Sequence, residues 1–126
     1  MARKECGYVL SPTARNHLRE AKRWSLERWG RKLTEAYFSD LDASARKIAA
    51  NYTSLPSRID LTGDAILHAY PAREHFLIYV PLETGQIAIV AVIRQGRDLP
   101  RVLAQYRFTI RKELEALHKS KGQRSE

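Results

Sequence analysis

Residues 87–93 read Ile-Ala-Ile-Val-Ala-Val-Ile. A strand with one face in water alternates apolar and polar residues, whereas a run that is apolar throughout needs cover on both faces, or on one face plus a partner. Gln86 to Arg94 is therefore expected as the central strand of a sheet, and an uncovered face there would be an interaction site. Before it lie two more segments rich in β-branched and aromatic residues, Ala65 to Tyr70 and His75 to Val80. Pro71-Ala72-Arg73 and Glu83-Thr84-Gly85 separate the three with turn chemistry, which predicts an antiparallel meander.

Further towards the N-terminus the period changes. Gly7 to Leu10 is short and β-prone, and Ser11-Pro12 follows as an N-cap with proline in the first turn. Ala14, Leu18, Ala21, Ser25 and Trp29 then recur at spacings of three and four, predicting a helix that Gly30 ends in a left-handed cap. Leu33, Tyr37, Leu41, Ala45 and Ile48 predict a second helix to about Asn51, folded back on the first as an antiparallel hairpin. Residues 52–64, with Pro56 and Gly63, read as a loop. Beyond the meander, Asp98 is placed to cap a C-terminal helix with Pro100 in its first turn. That helix buries Val102, Leu103, Tyr106, Ile110, Leu114 and Leu117 and carries basic residues on its other faces. The expected fold class is α+β: an N-terminal strand, an antiparallel helical hairpin packed on a small antiparallel β-sheet, and a basic C-terminal helix. The 126 residues suit one domain, 1–126, with 104–126 as a basic helical extension.

Composition narrows the chemistry. Lys and Arg number 22 against 14 Asp and Glu, a formal charge of +8, which favours an acidic partner, either nucleic acid or protein. Cys6 is the single cysteine, so neither an intrachain disulfide nor a cysteine-based zinc site can form. Residues 1–7 carry no signal-like apolar core and nothing approaches the roughly 18 apolar residues of a membrane span, so a soluble, cytoplasmic protein is expected. The histidines are His17 in the first helix, His68 and His75 in strands, and His118 in the tail. His68 and His75 are possible cross-strand neighbours, but no third ligand accompanies them, and neither a metal nor a cofactor is called for.

The order of elements resembles the RelE/ParE toxin superfamily, and particular residues sharpen the likeness to the ParE branch. Glu27-Arg28-Trp29-Gly30 closes the first helix, Ala36-Tyr37 and Leu41 lie on the next, and His75-Phe76-Leu77-Ile78-Tyr79 forms an aromatic-ended strand. Ile93-Arg94-Gln95-Gly96-Arg97-Asp98-Leu99 is similar to that branch's His-Gly-x-Arg-Asp-Leu run, with Arg94-Gln95 where the histidine usually stands. Residues 52–64 lack the family's Asn-Pro-x-x-Gly pattern. The resemblance covers residues 8 to about 103.

It implies the toxin of a type II toxin–antitoxin system, of the plasmid-stabilising kind, that traps DNA gyrase on cleaved DNA. A ParD-like antitoxin would neutralise it, and operator DNA would be met only through the antitoxin complex. On that reading Arg94, Gln95, Arg97 and Arg101 are candidates for target binding, and Trp24, Tyr37, Leu41, Phe76 and Tyr79 for antitoxin binding. The other branch, RelE-like, cleaves messenger RNA at the ribosome with two arginines and a tyrosine, a task that needs groups to move protons and stabilise charge on phosphorus. Phe76, Arg97 and Leu103 stand at those positions here, so one of the three is retained. A ribonuclease reading would use Arg97 with Arg94, His75 or Tyr106, although Tyr106 also belongs to the apolar stripe. A third reading is a non-toxic partner-binding module that co-represses its own operon.

Overall fold

The computed structural model describes residues 7–56 and 58–124, with side chains to residue 117; Cys6 and His118 lie outside that description. Strand β1 (Tyr8–Leu10) leads into helix α1 (Pro12–Asn51), a 3-10 turn (Tyr52–Ser54) and a short helix α2 (Ile59–Thr62). Strands β2 (His68–Ala72), β3 (His75–Pro81) and β4 (Ile87–Arg94) follow, then helix α3 (Leu99–Arg124). The sheet order is β1-β4-β3-β2.

Strand β4 is central, as its unbroken apolar run requires, and residues 87–93 are all buried. Ile87, Ile89 and Val92 lie in a cluster with Tyr37, Leu41, Ala45 and Ile48 of α1. Ala88, Val90, Ala91 and Ile93 lie in a second cluster with Val102, Leu103, Ile110 and Leu114 of α3. The sheet is thus a middle layer between helices, and burial of each large side chain there contributes about 1.5–3 kcal/mol. The fold class is α+β, but the sheet is mixed: β1 runs parallel to β4, Tyr8 opposite Ile87, while the meander is antiparallel. β1 fills the edge of β4 that the meander leaves open.

Where two helices and a left-handed cap are expected, one helical span is found, interrupted at Gly30. Its φ of 85° and ψ of 177° lie in a region open essentially to glycine alone, and not in the left-handed helical well. Residues on both sides of the break, Ala14 and Leu18 before it and Leu41 and Ile48 after it, share one cluster. The Tyr8 hydroxyl also donates to Asp42 Oδ1 at 2.5 Å. The buried stripe of the second stretch begins at Thr34; Leu33 is 59% exposed. Strand β2 runs on through Pro71, which an edge strand tolerates because no ladder bond needs its missing N–H. The turn is therefore Arg73-Glu74, with Arg73 at a φ of 58°.

The C-terminal segment is part of the core. Ile110 and Leu114 are buried, and Glu113 accepts hydrogen bonds from the Thr13 N–H at 3.1 Å and the Thr13 hydroxyl at 3.0 Å. A carboxylate of α3 thereby satisfies a free donor in the first turn of α1. Asp98 caps α3 as expected, its Oδ1 accepting from the Arg101 N–H at 3.4 Å. No helix among the described residues is long and apolar enough to cross a membrane.

Candidate functional site

The site begins with an irregularity in β4. Ile78 is paired with Ala91 but Tyr79 with Ile89, so Val90 is an extra residue, a β-bulge. Before it the odd-numbered residues face α1; after it the even-numbered ones do. Arg94 consequently leaves the sheet on the α1 side, with its guanidinium 4.7 Å from the centroid of the Trp24 ring. Arg28 approaches the same ring at 4.7 Å, and Trp29 meets it edge-on. Trp24 is half-buried by these neighbours.

On its other edge β4 loses its partner, because β1 ends at Leu10 opposite Ile89. The start of α1 takes over. The Ser11 N–H donates to the Ile89 carbonyl at 3.0 Å and the Ser11 hydroxyl to the Val90 carbonyl at 3.2 Å. The Val92 N–H then donates to His17 Nδ1 at 3.1 Å. A ring nitrogen that accepts a bond carries no proton, so His17 holds its proton on Nε2. Burial pushes its pKa down, and Arg97 adds to that while Glu20 and Glu113 oppose it.

His75 is held through the same ring nitrogen. Its Nδ1 lies 2.5 Å from the Tyr37 hydroxyl oxygen, which also accepts from the Glu74 N–H at 3.1 Å. Burial lowers the His75 pKa and Arg94 lowers it further. Gln95 is occupied beside it: its amide donates to the carbonyls of Arg73 at 3.0 Å and His75 at 3.1 Å, tying the ends of the two hairpins together.

These elements enclose an open cleft of about 310 Å³ between the first turns of α1, the ends of β3 and β4, and the start of α3. All four residues of the ribonuclease reading, His75, Arg94, Arg97 and Tyr106, line it, with His17, Glu20, Trp24 and Glu74. Tyr106 meets the His17 ring edge-on at 5.1 Å, so its place on the apolar stripe also puts it on the cleft wall. His17 was not among the expected site residues. Its signal is a second stripe beside the first, His17, Ala21, Trp24 and Arg28 at helical spacing, which faces the end of β4.

The remaining expectations divide. Of the target-binding candidates, Arg94 and Arg97 face the cleft, Gln95 bonds the hairpin ends, and Arg101 is exposed on α3 away from the cleft. Of the antitoxin-binding candidates, Tyr37, Leu41 and Tyr79 are between 2% and 4% exposed and belong to the core, so they offer no surface. Trp24 and Phe76 keep part of theirs. Leu103, at one of the positions matched to ribonuclease residues, is buried at 2%. His68 lies opposite Tyr79 and stacks on it, while His75 lies opposite Ala72 and Arg94, so the two histidines are not neighbours. Among the described residues no group of three or more His, Cys, Asp or Glu is arranged to hold a metal ion.

Fold and cleft define a small basic α+β chain whose sheet end, first helix and last helix wall an open cleft. No protein-family model matches the sequence. Two curated relatives, each named Toxin ParE1, from Mycobacterium tuberculosis strains CDC 1551 and H37Rv, are 34% identical to it over 99 residues. The match covers 76% of this chain and 96% of each relative. The chain belongs to the ParE toxin family.

Proposed function

We infer that this chain is the toxin of a type II toxin–antitoxin module, acting in the cytoplasm by inhibiting DNA gyrase and held inactive by an acidic ParD-like antitoxin. The observation that carries the reading is the 34% identity to Toxin ParE1 over nearly the whole of that relative. The residues of this chain support it. Phe76 and Leu103 stand where a RelE-type nuclease places catalytic groups, and neither side chain can move a proton or stabilise a charged phosphorane. Arg94, Arg97 and Arg101 are the candidate target contacts. Trp24, on the first stretch of α1, and Phe76, near the start of β3, are the candidate antitoxin contacts, on a body in which α1 doubles back at Gly30 as a helical hairpin. The charge of +8 suits an acidic antitoxin segment, and operator DNA would be reached through the toxin–antitoxin complex.

A second reading, ribosome-dependent cleavage of messenger RNA, is favoured by one observation: His75, Arg94, Arg97 and Tyr106 line a single cleft. One pair of assays separates the two. With gyrase, ATP and relaxed plasmid, the first reading expects inhibited supercoiling and accumulated cleaved plasmid, with messenger RNA intact on programmed ribosomes. Cut messenger RNA with normal supercoiling would overturn it in favour of the second.

A further inference from the structure

The cleft holds more donor capacity than the fold uses. Neither Arg94 nor Arg97 forms an ion pair among the described residues, although five other arginines do. His17 and His75 each spend Nδ1 on a protein partner, and His17, whose Nδ1 accepts the Val92 N–H, keeps its proton on Nε2. The donors come from α1 and from the end of β4 with its following turn, so they face the cleft from more than one side and do not form one planar fork. A planar carboxylate is satisfied by one guanidinium, whereas a tetrahedral phosphate can be gripped from several sides.

Charge narrows the ligand further. Glu20 and Glu74 also line the cleft, so the two guanidiniums are balanced by two carboxylates while the imidazoles are neutral. A dianionic phosphomonoester or a multiply acidic peptide would meet both carboxylates. A phosphodiester carries a single charge and meets the least repulsion for the same set of donors. The volume, about 310 Å³, is at the lower end of the range for small-ligand sites and matches one backbone unit of a strand.

We propose that this cleft seats one phosphodiester of a single nucleic-acid strand, held by the guanidiniums of Arg94 and Arg97 and by the Nε2–H of His17, with His75 on the cleft wall beside them. This deepens the toxin reading by giving the chain its own contact with nucleic acid. The strand can be DNA, as in a gyrase cleavage complex, or RNA, as in a message.

The test is fluorescence anisotropy of short labelled oligo-dT and oligo-U strands with the purified full-length chain, without gyrase or ribosomes, across a salt series. Saturable binding to at least one strand is expected, with a log–log salt slope of about −1, the value for one or two phosphates on a single strand. Arg97→Ala should weaken it about tenfold, and Arg97→Lys, which keeps the charge but loses the fork, by less. Lys112→Ala, on an exposed face of α3, should leave it within about twofold. Preference for oligo-dT or for oligo-U identifies the source of the strand. The proposal fails if neither strand binds, if Arg94→Ala and Arg97→Ala bind as well as the parent while remaining folded by circular dichroism, or if a short acidic peptide displaces the strand at equal concentration. Supercoiling inhibition persisting alongside any of these failures would leave the toxin reading standing without the cleft.

Discussion

The Tyr37 hydroxyl joins the β2–β3 turn to a cleft histidine: its oxygen accepts from the Glu74 N–H at 3.1 Å and lies 2.5 Å from His75 Nδ1. One core side chain of α1 therefore holds both the β2–β3 turn and the ring of a cleft imidazole. Tyr37→Phe removes both bonds at almost constant volume. A loss of about 1–3 kcal/mol is expected in urea denaturation, because a part-buried backbone donor is left without its acceptor. A change below about 0.5 kcal/mol would mean that the bridge contributes nothing measurable.

The lowered pKa values of His17 and His75 predict the pH dependence of folding. Burial is the first cause for both, so the folded pKa lies below the ordinary imidazole value of 6.5. Between the folded pKa and 6.5 the unfolded chain binds more protons, and stability falls as pH falls. It should be level above pH 6.5 and decline below it. Asp42 adds a separate window: its bonds from Tyr8 and Arg46 lower its pKa, so that contribution disappears only as pH falls below 3.8. Denaturation at a series of pH values checks this, and His17→Asn, which can keep an acceptor for the Val92 N–H, should reduce the upper decline.

Glu113 joins the ends of the molecule through Thr13. Glu113→Ala should cost about 1–2 kcal/mol, comparable to losing a helix cap, and lower Tm by several degrees. Truncation of the chain before residue 104 should do far more, since it removes Ile110 and Leu114 from the second core cluster. If that truncated chain unfolds with unchanged Tm, α3 is not part of the cooperative unit.

Gly30 has open space where a side chain would go, so Gly30→Ala tests backbone strain alone. At a φ of 85° and ψ of 177° the substitution should destabilise by about 1–3 kcal/mol without a packing change. Thermal melts with unaltered far-ultraviolet circular dichroism at low temperature would check it.

The layers were legible because they rest on periodicity. The continuous apolar run of β4 announced cover on both faces, and the 102, 103, 106, 110, 114 stripe announced α3. Periodicity does not give the phase at an element's edge, so the stripe predicts Leu33 inside where Thr34 is the buried residue. It also cannot tell a buried aromatic from an exposed one: Tyr37, Leu41 and Tyr79 are apolar enough to bind a partner and are consumed by the core instead. Arg94 and Arg97 were legible as residues leaving a strand, where binding groups collect. His17 was not, because its role depends on a free N–H of Val92, 75 residues away, which exists only once β1 has stopped short.

Val90 works like a single skipped beat in a two-beat rhythm. Every side chain upstream of it keeps its side of the sheet, and every one downstream changes sides. Were Val90 paired regularly instead of bulged out, Arg94 would lie beneath α3 and Val92 would turn away from α1, exchanging the contents of two layers without altering a single chemical group near the cleft. In a protein of this design, one residue left out of the pairing is as much a determinant of chemistry as the identity of any arginine.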